Sequence, residues 1–306
     1  MPYYLGIAGG GTKTTCAVGD ATNLLATATA GASNVVRVGE AQARASLHQS
    51  VRQACAAAGI SPEQIAHTCV GGSGAAHPEL ASTVREFLAE ILLTPIEVVG
   101  DMEIALEAAF GSGPGVTVIA GTGSIAFGRD RQGRTVRAGG WGFAIGDEGS
   151  AHWIGRTAVS TILRASDRGD ETAYSVLAAA LFKVWKVTSL PDLARVANSI
   201  PPPDFAALFR AVADSGDDLA KDVLTAAGRE LAEVAALVIG RLFGKDDSGS
   251  VRVAMTGGVF RHAAIVRGVF YNELRRLDAR AEINSRVVDP VEGALRMARR
   301  ASQNRV

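Results

Sequence analysis

Cysteine and histidine are too few and too scattered to build the sites that these residues usually form. The three cysteines, Cys16, Cys55 and Cys69, form no CxxC pair. This excludes a disulfide framework and a cysteine-based zinc site, and it indicates a reducing compartment. The five histidines are dispersed, without an HExxH motif, so zinc-protease and hydrolase chemistry has no support in the sequence.

The chain also lacks an excess of either charge and a long apolar run. Its 31 Lys and Arg balance its 31 Asp and Glu, and no basic run provides the positive surface that nucleic acid or an anionic membrane would need. No stretch approaches the roughly 18 consecutive apolar residues of a membrane span, and the N-terminus has no signal-peptide pattern. We expect a cytoplasmic protein whose partner is a small molecule or another protein.

Glycine, by contrast, is abundant: it accounts for 35 of the 306 residues, whereas its usual share is about 7%. With 47% hydrophobic and 20% charged residues the chain is globular, and its length predicts two domains. The segment GSGPG at residues 111–115 is the predicted boundary. It gives one lobe at residues 1–112 and a second at 113–290.

Two stretches share one local pattern. Residues 3–8, 14–18 and 24–29 predict an antiparallel meander with a glycine corner, and residues 116–120, 125–129 and 135–138 repeat it. This duplication predicts two related α/β lobes. The remaining pattern predicts helices at 40–58, 78–92 and 102–110, a strand at 96–99, a loop at 71–74, a mostly helical region at 150–243, and a strand at 251–255 followed by two helices.

The sequence GGGTKT at residues 9–14 is the first candidate phosphate-binding corner. Glycines let backbone N–H groups approach phosphate oxygens closely, and Thr12 and Lys13 add donors. A Walker A loop needs GxxxxGK(S/T) before a helix, but here Thr12 precedes Lys13 and the following TTCAV is strand-like. A hairpin turn without a ligand is the alternative.

Two further glycine motifs follow predicted strands. GTGSIA at 121–126 fits a dinucleotide-binding pattern, but residues 125–138 predict a hairpin in place of the required helix. It is therefore either a second phosphate-facing corner or a plain turn. TGGV at 256–259 either lets a nucleotide lie against its backbone or forms an ordinary strand-to-helix turn.

Polar residues at strand ends and in loops are the candidate substrate ligands. Asp101 either caps the helix at 102–110 or takes a proton from a substrate hydroxyl. Asn34 and Ser73 either contact a ligand or form turns.

The stretch GGWGFAIGDEGSAHW at residues 139–153 is the most distinctive in the chain. Asp147 is a candidate ligand of a sugar hydroxyl or a metal-bound water, and Trp141 is a candidate to cover a sugar ring. The N–H groups at the start of the following helix are candidate donors to an anion. The alternative is a capped helix behind a structural loop. We expect His152 and Trp153 to be packing residues.

In order along the chain, GGGTKT, GxSN, GDxxxA, AGTGS, GGWG, GDEGSAxWIG and TGGV resemble the N-acetylglucosamine kinase branch of the BadF/BadG/BcrA/BcrD-type ATPases, in the actin/hexokinase/Hsp70 superfamily. The resemblance covers residues 4 to about 298. It implies an α/β actin-like ATPase fold, with two ribonuclease H-like lobes around a nucleotide and sugar cleft. It also implies a homodimer and a last helix, about residues 291–306, that returns to the first lobe.

The resemblance also implies roles for individual residues in phosphorylating N-acetylglucosamine to its 6-phosphate. The ATP ligands would be Gly10, Gly11, Thr12, Lys13, Gly121, Thr122 and Gly123 at the phosphates, and Gly257 and Gly258 at adenosine. The amino sugar would be held by Asn34, Asp101, Ser124, Gly140, Trp141 and Asp147. Asp101 would be the base for the 6-hydroxyl, and Mg²⁺ would bridge the phosphates mostly through water, with Asp147 as a water-mediated ligand.

One position departs from the family pattern. An acidic residue usually precedes GGGT and helps to organise magnesium, but this chain has Ala8. Its absence indicates weakened turnover more than lost nucleotide binding, and Asp147 or Asp101 is a candidate substitute. Glucosamine kinase, a catalytically weak amino-sugar sensor, and an activator-type ATPase with a cysteine-bound iron–sulfur cluster are the alternatives.

Overall fold

The computed structural model describes residues 2–75, 77–244 and 249–303, with side chains for all of these except 171–173 and 303. The chain divides into two compact units. The first contains the residues up to 113 together with those from 288 onward, and the second contains residues 114–287. Residues 304–306, at the end of the expected C-terminal helix, lie outside the described residues.

The elements follow one another in this order. The first part contains β1 (Tyr3–Gly9), β2 (Thr14–Gly19), β3 (Leu24–Ala30), α1 (Val35–Val38), α2 (Glu40–Ala57), a 3-10 turn (Pro62–Gln64), β4 (Ile65–Gly72), α3 (Pro78–Ala89), β5 (Ile96–Gly100) and α4 (Asp101–Phe110). The middle contains β6 (Gly115–Ala120), β7 (Ser124–Arg129), β8 (Thr135–Gly139), α5 (Ala151–Asp167), α6 (Glu171–Trp185), α7 (Leu190–Ala197), a second 3-10 turn (Phe205–Leu208), α8 (Phe209–Ser215), α9 (Asp218–Phe243), β9 (Val251–Thr256), α10 (Gly258–His262), α11 (Ala264–Leu277) and β10 (Ala281–Val288). The last helix is α12 (Pro290–Gln303).

The first unit is built on a five-stranded sheet with the order β3-β2-β1-β4-β5. β1, β2 and β3 form the predicted antiparallel meander, while β4 runs parallel to β1, and β5 runs parallel to β4. In this register Gly9 of β1 lies opposite Gly72, and Gly72 lies opposite Gly100. The carboxyl ends of three strands therefore meet at one edge of the sheet.

Both faces of this sheet are buried at its central strands β1 and β4, whose residues point alternately towards two helical layers, whereas the edge strand β3 is largely exposed. Leu5 and Ile7 pack into a cluster with Leu47 of α2 and Phe87 of α3. On the opposite face, Tyr4 belongs to a cluster made with α4 and α12, and Ala8 packs against it. Helix α12 thus completes the first unit from the far end of the sequence.

The second unit repeats the plan with a five-stranded sheet in the order β10-β9-β6-β7-β8. β6, β7 and β8 form an antiparallel meander, and β9 pairs in parallel with β6, as β4 does with β1. Helices α5 to α9 supply most of its large apolar core. The prediction of two related α/β lobes is confirmed.

Two local predictions were wrong. We expected only helices after residue 255, but β10 forms an edge strand there. It was missed because most of its middle residues are polar or exposed, so no apolar run marks it. We also expected a loop from residue 71, whereas β4 continues through Gly72, and the Ile104 side chain fills the space where a side chain at Gly71 would lie.

No helix within the described ranges is both long enough and apolar enough to cross a membrane.

Helix α12 is held against α4 by close backbone contact and by an ion pair. The Arg300 guanidinium donates two hydrogen bonds of 3.0 Å to the buried Glu107 carboxylate. At Gly293 the helices are so close that a Cβ would collide with the Ile104 carbonyl oxygen. Glycine is therefore required at this crossing.

Gly293→Ala is expected to lower the free energy of unfolding by about 1–3 kcal/mol, because the added methyl group overpacks the α12–α4 contact. Gly268→Ala is the matched control: Gly268 lies in α11, and a Cβ there meets nothing within 4 Å. Alanine should leave stability unchanged or raise it by up to about 1 kcal/mol. Denaturant unfolding of both variants measures the difference, and an unchanged midpoint for Gly293→Ala would contradict the packing argument.

Candidate active site

The first glycine corner closes the β1–β2 hairpin at the carboxyl edge of the first sheet. The Gly10 N–H donates to the Lys13 carbonyl at 3.0 Å, and the chain continues directly into β2, so the corner is not a Walker A loop. Thr12 and Lys13 are exposed, whereas Gly10 and Gly11 are half-buried. The corner therefore presents two donor side chains on a tight backbone turn.

Neighbouring loops are hydrogen-bonded to this corner. The Ser33 N–H donates to the Gly10 carbonyl at 3.1 Å, and the Ser73 N–H donates to the Gly9 carbonyl at 3.1 Å. A Cβ at Gly9 would lie 2.6 Å from the Ser33 hydroxyl oxygen. The β1 corner, the segment at 33–34 and the segment after β4 therefore form one continuous surface.

Asp101 lies at the same edge, at the first position of α4 directly after β5. The alternative that Asp101 caps this helix is wrong, because Gly100 occupies the cap position and its N–H donates to the Glu103 carboxylate at 3.2 Å. Asp101 is half-buried. Because Gly100 aligns with Gly72 and Gly9, the Asp101 backbone follows a strand end two strands away from the β1 corner.

Asn34 has a structural role that limits what it can offer a ligand. Its Oδ1 accepts a hydrogen bond of 3.1 Å from the Arg37 N–H and caps the short helix α1. Its own N–H donates to the Gly10 carbonyl at 3.3 Å. The amide nitrogen Nδ2 is therefore the candidate sugar donor of this side chain.

In the second unit, the corner at 121–123 and the turn at 257–258 lie side by side. β6 pairs in parallel with β9, so that Ile119 lies opposite Thr256. Gly257 has a φ of +106°, and a Cβ there would collide with the Ala120 carbonyl, whereas a Cβ at Gly258 meets nothing within 4 Å. The close approach thus requires glycine at 257, and 258 leaves an open backbone surface.

The N–H groups at the start of α5, the candidate anion donors, have hydrogen-bond partners within the protein. The Ala151 and His152 N–H groups donate to the carbonyls of Gly121 and Thr122, at 2.9 and 3.2 Å. The Trp153 N–H donates to the Ser150 hydroxyl at 3.1 Å. These donors are already engaged, so the helix start instead holds the 121–123 corner in place.

Asp147 is buried in the loop between β8 and α5, and its φ of +61° is unusual for a residue with a side chain. Burial raises the pKa of its carboxyl, and backbone N–H groups of Ser124 and Gly142 partly oppose that rise by donating to the carboxylate. A Cβ at Gly123 would lie 2.6 Å from Asp147 Oδ2. The carboxylate therefore packs directly against the second corner.

Ser124 and Gly140 shape the same loop. The buried Ser124 hydroxyl donates to the Glu148 carbonyl at 2.7 Å, so its proton is engaged, although its oxygen can still accept. Gly140 has a φ of +70°, and a Cβ there would lie 2.7 Å from the Ile125 side chain. Trp141 follows and is 68% exposed. His152 and Trp153 pack into or against the core as expected.

The described residues offer few side-chain ligands for a metal ion. Within residues 2–75, 77–244 and 249–303, no group of three or more His, Cys, Asp or Glu side chains is placed to hold a metal ion. All three cysteines are buried in the first unit. Burial raises the pKa of Cys55 to about 11 and also raises the pKa values of Cys16 and Cys69, so these thiols are poor candidates for thiolate ligands.

The predicted site residues fall into two groups, one in each unit. The first unit brings together Asp101, Asn34 and the corner Gly10–Lys13; the second brings together Gly121–Gly123, Ser124, Gly140, Trp141, Asp147 and Gly257–Gly258. Such paired α/β lobes, each with glycine corners at the carboxyl ends of its strands, define the actin-like ATPase fold.

The chain belongs to the BadF/BadG/BcrA/BcrD ATPase family, which matches residues 5–298. Membership implies the use of ATP.

Similar proteins of known sequence or structure carry sugar-kinase names. An N-acetylmuramic acid/N-acetylglucosamine kinase from Clostridium acetobutylicum is 33% identical over 239 residues, which cover 76% of this chain and 77% of that protein. An N-acetyl-D-glucosamine kinase from Dictyostelium discoideum is 29% identical over 310 residues, covering 96% and 97%. A crystal structure from Chromobacterium violaceum, provisionally assigned as an N-acetylglucosamine kinase, has a TM-score of 0.76 at 25% identity and covers 97% and 99%.

Sequence reasoning missed two residues of this region. The Glu103 carboxylate accepts the hydrogen bond from the Gly100 N–H. Glu103 lies three residues after the cap, which is the spacing of a capping box, so this spacing was a signal in the sequence. Arg137 lies over the Trp141 ring, with its guanidinium carbon 4.6 Å from the ring centroid. No sequence motif marks that contact.

Proposed function

We propose that this protein transfers the γ-phosphoryl group of ATP to the 6-hydroxyl of N-acetylglucosamine. The observation that carries the proposal is the position of Asp101 at the carboxyl edge of the first sheet, one strand beyond Gly72 and two beyond the β1 corner. The family relationship and the names of the relatives in Clostridium and Dictyostelium support the choice of reaction and sugar.

In the proposed reaction Asp101 acts as the general base. Its carboxylate accepts the proton of the sugar 6-hydroxyl as that oxygen forms a bond to the γ-phosphorus. The bond between the γ-phosphorus and the oxygen bridging to the β-phosphate breaks, and ADP leaves with the electron pair. The products are N-acetylglucosamine 6-phosphate and ADP.

We assign ATP to the glycine corners. The backbone at Gly10–Thr12 and Gly121–Gly123, with the Thr12 and Thr122 hydroxyls and Lys13, supplies donors for the phosphates. Gly258, where a Cβ meets nothing within 4 Å, leaves a flat backbone surface next to Gly257 for adenosine. The zero net charge of the chain is consistent with such local donors.

We assign the sugar to Asn34, Ser124, Gly140, Trp141 and Asp147. The Asp147 carboxylate can accept from a sugar hydroxyl, because its loop fixes it with two backbone N–H donors. Trp141 offers an exposed apolar face suited to a sugar ring.

The chain fits Mg²⁺ that is bound mainly through phosphates and water. Mg²⁺ keeps several waters in nucleotide sites and needs only one or two carboxylates, and Asp101 and Asp147 can offer these. When bound, it neutralises charge on the transferred phosphoryl group. Asp101 and Asp147 are the candidate carboxylates, the latter through water because its own loop engages it.

The alternatives have weaker support. An iron–sulfur activator needs accessible thiolates, whereas the cysteines here are buried with raised pKa values. A weak amino-sugar sensor is favoured by Ala8. Glucosamine as substrate, a cytoplasmic location and a homodimer stay predictions.

Asp101→Asn is expected to lower kcat about 10²- to 10⁴-fold, because an amide cannot accept the hydroxyl proton. Measurement is by coupled ADP release with ATP, Mg²⁺ and a panel of amino sugars that includes glucosamine. Thermal unfolding should stay close to that of the parent, since Glu103 holds the α4 cap. Asp222→Asn, an exposed aspartate of α9, is the control and should have parental kcat. A kcat for Asp101→Asn within threefold of the parent would refute its role as base.

Asn34→Asp separates sugar binding from helix capping. Aspartate keeps an oxygen for the Arg37 N–H but removes the Nδ2 donor, so the KM for the sugar should rise about 10-fold while thermal stability holds. Asn34→Ala removes both groups and should lower stability by about 1 kcal/mol as well. An unchanged KM in both variants would show that Asn34 is a cap without contact to the sugar.

Ala8→Asp should raise kcat at least about 10-fold, because a carboxylate at the end of β1 helps to organise magnesium. Ala8→Asn is the matched control, since it adds the same bulk without charge to this half-buried position. No gain over the asparagine variant in the ADP-release assay would mean that position 8 does not limit turnover.

A further inference from the structure

The side chains of Arg137 and Trp141 lie against each other on the surface of the second unit, and both are exposed. Arg137 lies in β8 opposite Phe127 of β7, and its backbone carbonyl accepts a 3.3 Å hydrogen bond from Arg241. Its guanidinium carbon is 4.6 Å from the centroid of the Trp141 ring. The positive φ angles of Gly139 and Gly140, +72° and +70°, turn the chain between the two residues.

The Arg137 charge has no carboxylate partner among the side chains of the described ranges. Its one polar side-chain contact there is a long 3.5 Å hydrogen bond from Nη1 to the Gly140 carbonyl. Arg134 and Arg276, also exposed in the second unit, are paired with carboxylates. Exposed Arg131 and Arg261 resemble Arg137 in having no carboxylate partner among the described residues, and Arg137 differs from them in lying over an indole ring. The guanidinium lies over the indole ring, whose face attracts a cation, and its planar fork of N–H donors matches the geometry of a carboxylate.

We propose that Arg137 is a specificity-determining residue that binds a carboxylate carried by the amino sugar. This inference rests on the proposed function, because it takes Trp141 as the residue that covers the sugar ring. A neutral amino sugar needs no cation there. A sugar with an acidic ether substituent, such as the lactyl group of N-acetylmuramic acid, would place a carboxylate where a planar guanidinium can bind it with two parallel hydrogen bonds.

The chemistry of phosphoryl transfer is unchanged by this contact. The 6-hydroxyl still loses its proton to Asp101 and forms the bond to the γ-phosphorus, and the substituent carboxylate takes no part in bond making. Arg137 therefore acts on substrate choice, and its effect should appear in KM and kcat/KM for acidic sugars.

Three probes test the proposal: N-acetylglucosamine, N-acetylmuramic acid, and the methyl ester of N-acetylmuramic acid, which keeps the bulk and removes the charge. The parent protein should have a kcat/KM about 10- to 100-fold higher for the acid than for the ester. Arg137→Gln should remove this preference while kcat/KM for N-acetylglucosamine stays within threefold. Arg131→Gln, an exposed arginine at the tip of the same hairpin, is the control and should keep the preference.

Two results would overturn the proposal. The first is equal kcat/KM for the acid and the ester in the parent protein. The second is an equal loss for all three probes in Arg137→Gln, which would mean that Arg137 only supports Trp141. Calorimetric binding of the same probes gives a readout that does not need turnover. Binding of the acid without phosphorylation of any sugar would therefore refute the proposed function and leave the role of Arg137 standing.

Discussion

The parallel register of strands at the centre of each sheet is the constraint on which the candidate site depends. A parallel pair ends at the same edge, so loops that are far apart in sequence become neighbours there. In the first unit Gly9, Gly72 and Gly100 are aligned by hydrogen bonding, and Asp101 takes its place from that alignment. In the second unit the pairing of β6 with β9 does the same for the corners at 121–123 and 257–258. A shift of one residue in either pairing would move these loops past each other by about 3.3 Å and turn the side chains of the shifted strand to the opposite face.

The abundance of glycine has a physical reason that only the structure reveals. Several of these glycines make room for the protein itself: Gly9 for Ser33, Gly123 for Asp147 and Gly257 for Ala120. The close contacts that these glycines permit hold the corners in place. Glycine at a corner can therefore serve two roles. Without a side chain the backbone is open to a phosphate group on one side, and a neighbouring loop can pack closely on the other.

The sequence was sufficient for the architecture because alternation and helical periodicity are strong in the central elements. The duplicated meander could be read from residues 3–29 and 116–138, and the family resemblance supplied the two-lobed fold. β10 could not be predicted, since an edge strand with polar residues in its middle carries no apolar run. The candidate site was predictable as a set of motifs, but side-chain partners such as that of Arg137 were not. They depend on how Gly139 and Gly140 turn the chain, and no local pattern encodes that turn.

Because α12 belongs to the first unit, the two units are not completed in the order in which their synthesis begins on the ribosome. The second unit is contiguous, so its core is complete once residue 287 has been made. The first unit begins earlier, yet one face of its sheet lacks Val291, Ala294 and Leu295 until the last helix emerges, and Glu107 has no Arg300 until then. The lobe made first is therefore finished last, and this apolar face lacks its native cover while the whole second unit is being made.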